Sequence, residues 1–535
     1  MAKNVKLLDC TLRDGGRIIN CAFPDVYIHG IAKGLTRANI DIVEIGFLRG
    51  KGEYKGDSTF FTELDQIKPF IPADRGNSMF VAFSDYGEEY GMWDFSRIKP
   101  YDGTGIDGFR VGYRKKDLKN ALDTFRIVKD NGYKLFIQGV ESLSYTDLEM
   151  LQAIEIVNDI KPYSFGIVDT YGAMYKDDVL RLFSLLDNNL DDDIAIDFHS
   201  HNNMQLSFSF AQEVVEASRG VRPVIIDTTL EGVGKGTGNL NTELMVDYLN
   251  RKKFYNYDAD IIFDTIDDYI EWIKKDHTWE YQIPYLMAGI YSSHANNIIY
   301  LQDKHRLSTR DIKNILSMID PQKRKRYDYD NIERLYIEYS GMKTDDREAV
   351  SSLRKALSGK KCLVLVPGPS LVSEKEKIDR FIAAEHPAVI SLNFVDDRSD
   401  YVFFGNLKKY ERFYPLCAGK EVIVSSNIPE DKPAGKRIDY NGIIDRKLKY
   451  FDNSAVMLLN LLLKLGDPDI AIAGLDGFTP GTNNYYSEDY NVGRYEDDYN
   501  QVNHDLEAFL KDYSKRLSEK GKVSFLTSGR FSDLF

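Results

Sequence analysis

The chain has 535 residues, of which 43% are hydrophobic and 28% are charged, and its formal net charge is −14 at pH 7. This composition is typical of a globular protein, and the length predicts two or three domains rather than one core. The acidic balance argues against a nucleic-acid-binding protein, and no apolar run reaches the roughly 18 residues of a membrane-spanning helix.

The N-terminus and the cysteines together predict a cytoplasmic protein. Residues 1–4 lead directly into a strand pattern, without the apolar segment of a signal peptide. The four cysteines, at positions 10, 21, 362 and 417, lack the spacing of a metal site. We therefore interpret them as reduced thiols.

Strand patterns alternate with amphipathic helix patterns from residue 5 to about residue 228. The strands are predicted at 5–9, 41–46, 79–83, 108–112, 134–138, 164–169, 194–199 and 224–227. Helices are predicted between most of them, for example at 118–131, 146–159, 177–188 and 204–218. Strands joined by helices form parallel sheets, and eight in a row favour a closed (β/α)₈ barrel over an open doubly wound sheet.

Two of these strands end in residues that are suited to bind a metal. The first runs into Arg13-Asp14, and the seventh ends in Asp197-Phe198-His199-Ser200-His201. Because residues i and i+2 of a strand point the same way, His199 and His201 can face one point, where Asp14 completes a two-histidine, one-carboxylate site. The alternative is that both histidines cap the strand and hydrogen-bond their neighbours.

Further polar residues lie at the C-terminal ends of other predicted strands, namely Glu44, Arg110, Gln138, Asp169 and Thr170. Any one of them is explained as a capping residue. The set predicts substrate contacts, because the C-terminal ends of barrel strands carry the active site. A glycine-rich loop, 231–243, follows the last strand and lets backbone N–H groups approach an anion closely. It lacks the residue order of a P-loop.

The rest of the sequence predicts a helical segment and then a second α/β domain. Residues 258–345 are predicted to be helical, with helices at 261–275, 285–303 and 309–318, and a domain boundary lies within 340–360. A second α/β pattern follows, with strands at 362–366, 388–393, 401–404, 421–425, 470–474 and 524–526. The turn after its first strand is of the kind that seats phosphate on a helix N-terminus. Residues 483–500 are predicted to be a long surface loop.

These motifs resemble the DRE-TIM metallolyase superfamily, which includes HMG-CoA lyase, isopropylmalate synthase and 4-hydroxy-2-oxovalerate aldolase. The matching pieces are Thr11-Leu12-Arg13-Asp14-Gly15, Val43-Glu44-Ile45-Gly46-Phe47, Asp169-Thr170, His199-Ser200-His201-Asn202 and Gly236-Thr237-Gly238-Asn239. The resemblance implies that Asp14, His199 and His201 bind a divalent metal, that Asn239 is a further ligand, and that Arg13 steadies an enolate oxygen. Mn²⁺ or Mg²⁺ is expected, although two imidazoles also suit Zn²⁺, Co²⁺ or Fe²⁺.

The helical part is similar to the communication domain of 4-hydroxy-2-oxovalerate aldolases through the segment from Ala288 to Ser293. In those enzymes a tyrosine of this segment reaches the active site, which implies a catalytic Tyr291, and the segment contacts a partner aldehyde dehydrogenase. The alternative for Tyr291 is packing between helices. The chain departs from those aldolases at Arg17, where they have a catalytic histidine. Arginine is not a general base at neutral pH, so either Arg17 binds a substrate carboxylate or phosphate, or Tyr171, Tyr291 or His294 carries the proton.

The C-terminal part resembles the MptE-like pyrophosphokinase and sialyltransferase-like group through 366–371, 391–393 and 473–476. That resemblance implies a nucleotide or nucleotide-sugar site. We therefore expect a barrel aldolase domain (1–257), a helical segment (258–345) and a Rossmann-like α/β domain (355–535). The expected activity is cleavage or formation of a 4-hydroxy-2-oxo acid from pyruvate and an aldehyde, by a homo-oligomer. The alternatives are a Claisen-type acyl-CoA synthase or lyase, and a C-terminal nucleotide-dependent transferase beside an active or vestigial barrel.

Overall fold

The computed structural model describes residues 4–252, 255–305, 307, 309–340, 344–466, 469–487, 496–517 and 521–534. The chain divides into two compact units, Met1–Ile332 and Glu333–Phe535. Within the described ranges, no helix combines the length and the apolar character that crossing a membrane requires.

The first unit is built on a closed parallel sheet. Its strands are β1 (Val5–Asp9), β2 (Ile42–Leu48), β3 (Phe60–Phe61), β4 (Met79–Asp85), β5 (Gly108–Arg114), β6 (Lys134–Val140), β7 (Ser164–Asp169), β8 (Ala195–Ser200) and β9 (Val224–Thr228). Apart from β3, a short addition beside β2, they pair in chain order, and β9 pairs back with β1. The predicted (β/α)₈ barrel is therefore confirmed.

Helices surround this barrel and continue after it. They are α1 (Asp25–Arg37), α2 (Leu64–Ile67), α3 (Leu122–Asp130), α4 (Asp147–Ile160), α5 (Lys176–Asn189), α6 (Ser207–Ala217), α7 (Thr242–Asn250), α8 (Ala259–Tyr269), α9 (Ile283–Ile290), α10 (Ala295–His305), α11 (Thr309–Met318) and α12 (Tyr329–Ser340). One predicted helix, 285–303, is wrong as a single element, because Ser292 has a φ of 46°. A left-handed residue ends a right-handed helix, so α9 and α10 are separate.

The barrel interior has an apolar floor and a polar layer above it. Leu8, Ile42, Val81, Phe136 and Ile225 form a buried cluster inside the strands. Two residues further along three of these strands lie the buried polar residues Glu44, Gln138 and Asp227. Because side chains alternate across a strand, this two-residue step keeps both layers on the inner face and places the polar one nearer the C-terminal mouth.

The second unit is an open, doubly wound α/β fold. Its strands are β10 (Cys362–Leu365), β11 (Ala388–Leu392), β12 (Tyr401–Phe404), β13 (Glu421–Ser425), β14 (Lys436–Ile438), β15 (Ile470–Ala473) and β16 (Val523–Phe525). They form one parallel sheet in the order β14-β13-β12-β11-β10-β15-β16, so the winding direction reverses between β10 and β15. Its helices are α13 (Arg347–Leu357), α14 (Ser370–Ser373), α15 (Lys375–Glu385), α16 (Leu407–Phe413), α17 (Ser454–Gly466) and α18 (Glu496–Arg516).

Two predictions for this unit need correction. The phosphate seat after its first strand is wrong, because α14 has only four residues and the Ser370 N–H already donates to Asp476 Oδ2 at 2.8 Å. A phosphate there would meet a like charge. The predicted surface loop at 483–500 ends inside α18, which begins at Glu496, while 488–495 lie outside the described residues.

Close packing of α1 on α8 gives a test of the barrel fold. A Cβ added at Gly34 would lie 2.2 Å from Thr265 Oγ1, so we expect Gly34→Ala to lower the free energy of unfolding by about 1–3 kcal/mol through overpacking. Denaturant unfolding followed by tryptophan fluorescence measures this, because the chain's three tryptophans, at 93, 272 and 279, all lie in the first unit.

The matched control is Lys33→Ala, at an exposed neighbouring position of α1, which should change stability by at most about 0.5 kcal/mol. Thr265→Ala in the Gly34→Ala chain should restore part of the loss. Equal stability of Gly34→Ala and the unmodified chain would contradict this packing.

Candidate active site

Three side chains meet at the C-terminal mouth of the barrel. Asp14 follows β1, His199 lies in β8 and His201 directly follows it. Asp14 Oδ2 lies 3.9 Å from His199 Nε2 and 3.8 Å from His201 Nε2. The same Oδ2 is buried and has no hydrogen-bond partner among the described residues. These atoms form a group with the geometry of a candidate metal site.

The charge states of these side chains suit metal ligation. Burial, followed by the nearby Arg13, lowers the pKa of His199 to about 4, and burial is also the main cause that lowers the pKa of His201 to about 4. Burial alone would raise the pKa of Asp14, but Arg13, His201 and Arg17 hold it well below its usual value. At neutral pH the group therefore offers one carboxylate and two neutral imidazoles, the forms that bind a divalent cation.

Asn239, the further ligand that the resemblance implies, lies in the glycine-rich loop beside His201 and is not among the described residues that line the cavity. It forms an antiparallel bridge with His201, and its Nδ2 donates to the Val233 carbonyl at 3.0 Å. Its Oδ1 is left buried without a partner among the described residues. Gly238 has a φ of 75°, and a Cβ there would lie 1.9 Å from the Gly232 carbonyl oxygen, so only glycine permits this turn. Two partnerless buried oxygens beside two neutral imidazoles fit a divalent cation.

A buried network of charges lies beneath the three candidate ligands. Arg110 of β5 is 0% exposed and donates to Glu44 at 3.0 Å, to Asp197 at 3.2 Å and to Asp227 at 2.6 Å. Gln138 donates to Asp197 at 2.7 Å. Arg110 therefore ties together strands β2, β5, β8 and β9 from inside the barrel.

Arg13 connects this network to the candidate metal ligands. Its Nε donates to Glu44 Oε2 and its Nη1 to Asp14 Oδ1, each at 2.6 Å. Four carboxyl groups, those of Asp14, Glu44, Asp197 and Asp227, pair with only two guanidinium groups, those of Arg13 and Arg110. Burial, and next the Asp227 charge, raise the pKa of Asp197 to about 7. A divalent cation would offset the surplus negative charge.

Asp227 was not among the residues that the sequence pattern singled out, although it ends a predicted strand. The His199 Nδ1–H is placed to donate to Asp227 Oδ2 at 2.9 Å, which leaves Nε2 facing Asp14. Carboxylates in this position orient metal-binding histidines. The signal that could have found Asp227 is its location at the C-terminal end of β9.

The cavity above this layer has a volume of about 1260 Å³. Of the predicted site residues, Arg13, Asp14, Arg17, Gln138, Thr170, His199 and His201 line it. Glu44 and Arg110 are fully buried below it, so we interpret them as positioning residues rather than substrate contacts. Tyr291 is not among the described residues that line the cavity, and its ring lies 5.4 Å from the Arg324 guanidinium. The turn at Ser292 brings His294 to the cavity instead.

The chain is similar in sequence to several known proteins. Residues 113–270 match the family model described as HMGL-like. A 4-hydroxy-2-oxovalerate aldolase of Moorella thermoacetica is 25% identical over 58% of this chain and 90% of its own. An oxaloacetate decarboxylase of Mycobacterium tuberculosis is 24% identical over 48% of this chain and 74% of its own. The solved structure of the HMG-CoA lyase of Brucella melitensis is 14% identical in sequence and has a TM-score of 0.41, and the match covers 51% of this chain and 100% of the lyase chain.

The fold and the site define a (β/α)₈ barrel enzyme with a candidate divalent-metal centre. The match of residues 113–270 to the HMGL-like model and the named relatives support the DRE-TIM metallolyase superfamily for the barrel, and they support a lyase activity.

The contact between His199 and Asp227 generates a test of the metal site. We expect Asp227→Asn to weaken Mn²⁺ binding about 10- to 100-fold, because the amide no longer fixes the orientation and basicity of His199. Isothermal titration of the metal-free protein with Mn²⁺ measures the affinity. Asp192→Asn, at a fully exposed carboxylate, is the matched control and should leave the affinity unchanged. Equal affinities in a folded Asp227→Asn protein would contradict this orientation role.

Proposed function

We propose that the first unit is a divalent-metal-dependent aldolase that cleaves a 4-hydroxy-2-oxo acid to pyruvate and an aldehyde, or joins the two. The observation that carries this proposal is the convergence of Asp14, His199 and His201 beside Arg13 at the barrel mouth. The relatives named above support it, because aldol cleavage of 4-hydroxy-2-oxovalerate and decarboxylation of oxaloacetate both release the enolate of pyruvate.

Asp14, His199 and His201 would hold the cation, with Asn239 Oδ1 as a fourth ligand. Mn²⁺ or Mg²⁺ is the proposed ion, since half of this ligand set is oxygen. When bound, the cation supplies a Lewis acid that polarises the 2-oxo group of the substrate.

Arg13 is placed to stabilise the enolate oxygen. Its Nε and Nη1 are engaged by Glu44 and Asp14, so its position is fixed, and it lines the cavity. Its Nη2 has no hydrogen-bond partner among the described residues and is available to the substrate. A fixed donor aimed at developing negative charge is typically worth about 3–4 kcal/mol in the transition state.

Two predicted proton carriers are restricted by their hydrogen bonds. The Tyr171 hydroxyl is engaged by Glu141 and the Lys325 carbonyl, and burial together with Glu141 raises its pKa. His294 Nδ1 accepts the Asn296 N–H at 3.1 Å, which assigns the proton of the neutral ring to Nε2. We propose that the 4-hydroxyl proton of the substrate passes to water in the cavity, that His294 Nε2–H donates a hydrogen bond that stabilises the negative charge left on the 4-oxygen, and that water returns a proton to the enolate carbon.

The activity test is a screen for pyruvate release from a panel of 4-hydroxy-2-oxo acids. The full chain is assayed with added Mn²⁺, and again after treatment with a chelator. We expect release from at least one acid and its loss in the chelator, restored by excess Mn²⁺. Release of free CoA from acyl-CoA substrates, without pyruvate release, would support the Claisen-type alternative and contradict the aldolase.

The role of Arg13 is tested by Arg13→Ala. We expect kcat for pyruvate release to fall about 10²- to 10³-fold, because the enolate loses its fixed donor. Mn²⁺ titration of the same protein separates this loss from loss of the cation, and Arg126→Ala, at an exposed arginine, is the control. Turnover within threefold of the unmodified enzyme would contradict the role of Arg13.

For the second unit we propose a nucleotide or nucleotide-sugar site at the reversal between β10 and β15, with the phosphate groups bound away from the Ser370 turn, which Asp476 closes. In open parallel sheets, ligands bind at the C-terminal strand ends where the winding reverses, and the order of this sheet supplies such a point. Calorimetric titration of the full chain with nucleoside diphosphates and their sugar conjugates tests it, and no heat of binding with any of them would contradict it. A dehydrogenase partner, a homo-oligomer and a cytoplasmic location stay predictions.

A further inference from the structure

The walls of the cavity carry more positive charge than the proposed reaction at its floor uses. Among the described residues that line the cavity, eight side chains are Arg or Lys and four are Asp or Glu. The volume, about 1260 Å³, also exceeds the roughly 300–1,000 Å³ of common ligand sites, whereas pyruvate has only six heavy atoms. Both observations indicate a larger and more anionic substrate than a simple 4-hydroxy-2-oxo acid.

Most wall cations already have a carboxylate partner. The pairs are Arg114 with Asp85, Lys116 with Glu89, and Lys325 with Glu141, at 2.5–2.9 Å. Lys115 is paired with Glu149 at 2.9 Å. These four cations are neutralised by the protein, so they do not require a charged ligand.

Lys235 and Arg17 differ from those four. In the glycine-rich loop, the Lys235 carbonyl accepts the Gly238 N–H at 3.2 Å, but the Lys235 ammonium makes no hydrogen bond or ion pair with any residue that the structure describes. The Nε of Arg17 lies 3.0 Å from Asp14, but Arg13 and the candidate cation share that carboxylate. A third cation, Arg326, contacts the Tyr90 hydroxyl at 3.0 Å and lies 3.9 Å from Glu89, which Lys116 already uses.

Lys235, Arg17 and His294 line the same cavity. Burial is the main cause that lowers the pKa of Lys235, and Arg17 is the second. The pKa of His294 is lowered to about 4 by burial, then by Lys235 and Arg17. Lys235 and Arg17 therefore form a cationic wall of the cavity beside the neutral His294, and an anion bound between the two cations relieves their mutual repulsion.

We infer that Lys235 and Arg17 bind an oxyanion carried by the aldehyde half of the substrate, so that the acceptor is a phosphorylated or carboxylated aldehyde. This inference rests on the proposed aldolase function. One negative charge, from the carboxylate of the oxo acid, faces the candidate cation and Arg13, and the surplus charge of the wall matches a further anionic group. An arginine and a lysine on one wall suit phosphate or carboxylate oxygens, which both accept several charge-assisted hydrogen bonds.

The test uses the full chain with Mn²⁺ and pyruvate in the synthetic direction. Two matched pairs of acceptors are compared by kcat/KM: glyceraldehyde with glyceraldehyde 3-phosphate, and butanal with succinic semialdehyde. We expect the anionic member of at least one pair to be favoured by about tenfold or more. The first pair reports on phosphate and the second on carboxylate.

Variants of Lys235 show whether this wall causes the preference. Lys235→Met should reduce the preference for the anionic acceptor about tenfold, and Lys235→Arg, which keeps the charge, should retain it. Lys116→Met, a cavity lysine with its own carboxylate partner, is the matched control and should keep the preference.

Exchange of the pyruvate methyl protons in D₂O, measured without acceptor, separates the two proposals. Exchange with no preference for anionic acceptors, or an equal loss of preference in Lys235→Met and Lys116→Met, overturns the anionic acceptor alone. Absence of exchange in the presence of Mn²⁺ overturns the aldolase function and this inference with it.

Discussion

The site depends on one buried cation, Arg110, which holds three carboxylates inside the barrel. A guanidinium that is fully removed from water is stable only when carboxylates pair with it, and here Glu44, Asp197 and Asp227, from three different strands, accept hydrogen bonds from its Nη1 and Nη2. This arrangement fixes the relative heights of those strands. Asp227 in turn orients His199, and Glu44 orients Arg13. The buried charge network therefore positions both the candidate metal ligand His199 and the candidate enolate contact Arg13.

The surplus of carboxylates explains why a divalent cation suits this place. Arg13 and Arg110 leave part of the negative charge of the layer uncompensated, and burial, followed by the Asp227 charge, raises the pKa of Asp197 to about 7. Two oxygens, Asp14 Oδ2 and Asn239 Oδ1, are buried without a partner among the described residues. Partnerless buried oxygens are costly in a folded protein, and a cation bound by Asp14, His199 and His201 would satisfy Asp14 Oδ2.

The sequence predicted the barrel and much of its site because both follow short-range rules. Alternating strands and helices predict a parallel sheet, and the two-residue spacing of His199 and His201 predicts that their side chains share a face. Other features depend on packing across the fold. The pairing of Arg110 with Asp197 and Asp227 joins residues more than 85 positions apart, and the exclusion of Tyr291 from the cavity follows from the left-handed turn at Ser292. In the second unit, the contact between Ser370 and Asp476 joins two loops that are 106 positions apart. The sequence pattern after β10 therefore did not show that the Ser370 N–H is already occupied.

Anomalous X-ray diffraction from crystals grown with Mn²⁺ tests the central claim most directly. If Asp14, His199 and His201 bind one cation, we expect one strong anomalous peak in the first unit, within about 2.3 Å of Asp14 Oδ2 and of the Nε2 atoms of His199 and His201. A protein that crystallises with Mn²⁺ bound elsewhere, or with those three side chains hydrogen-bonded to one another and no peak between them, would contradict it.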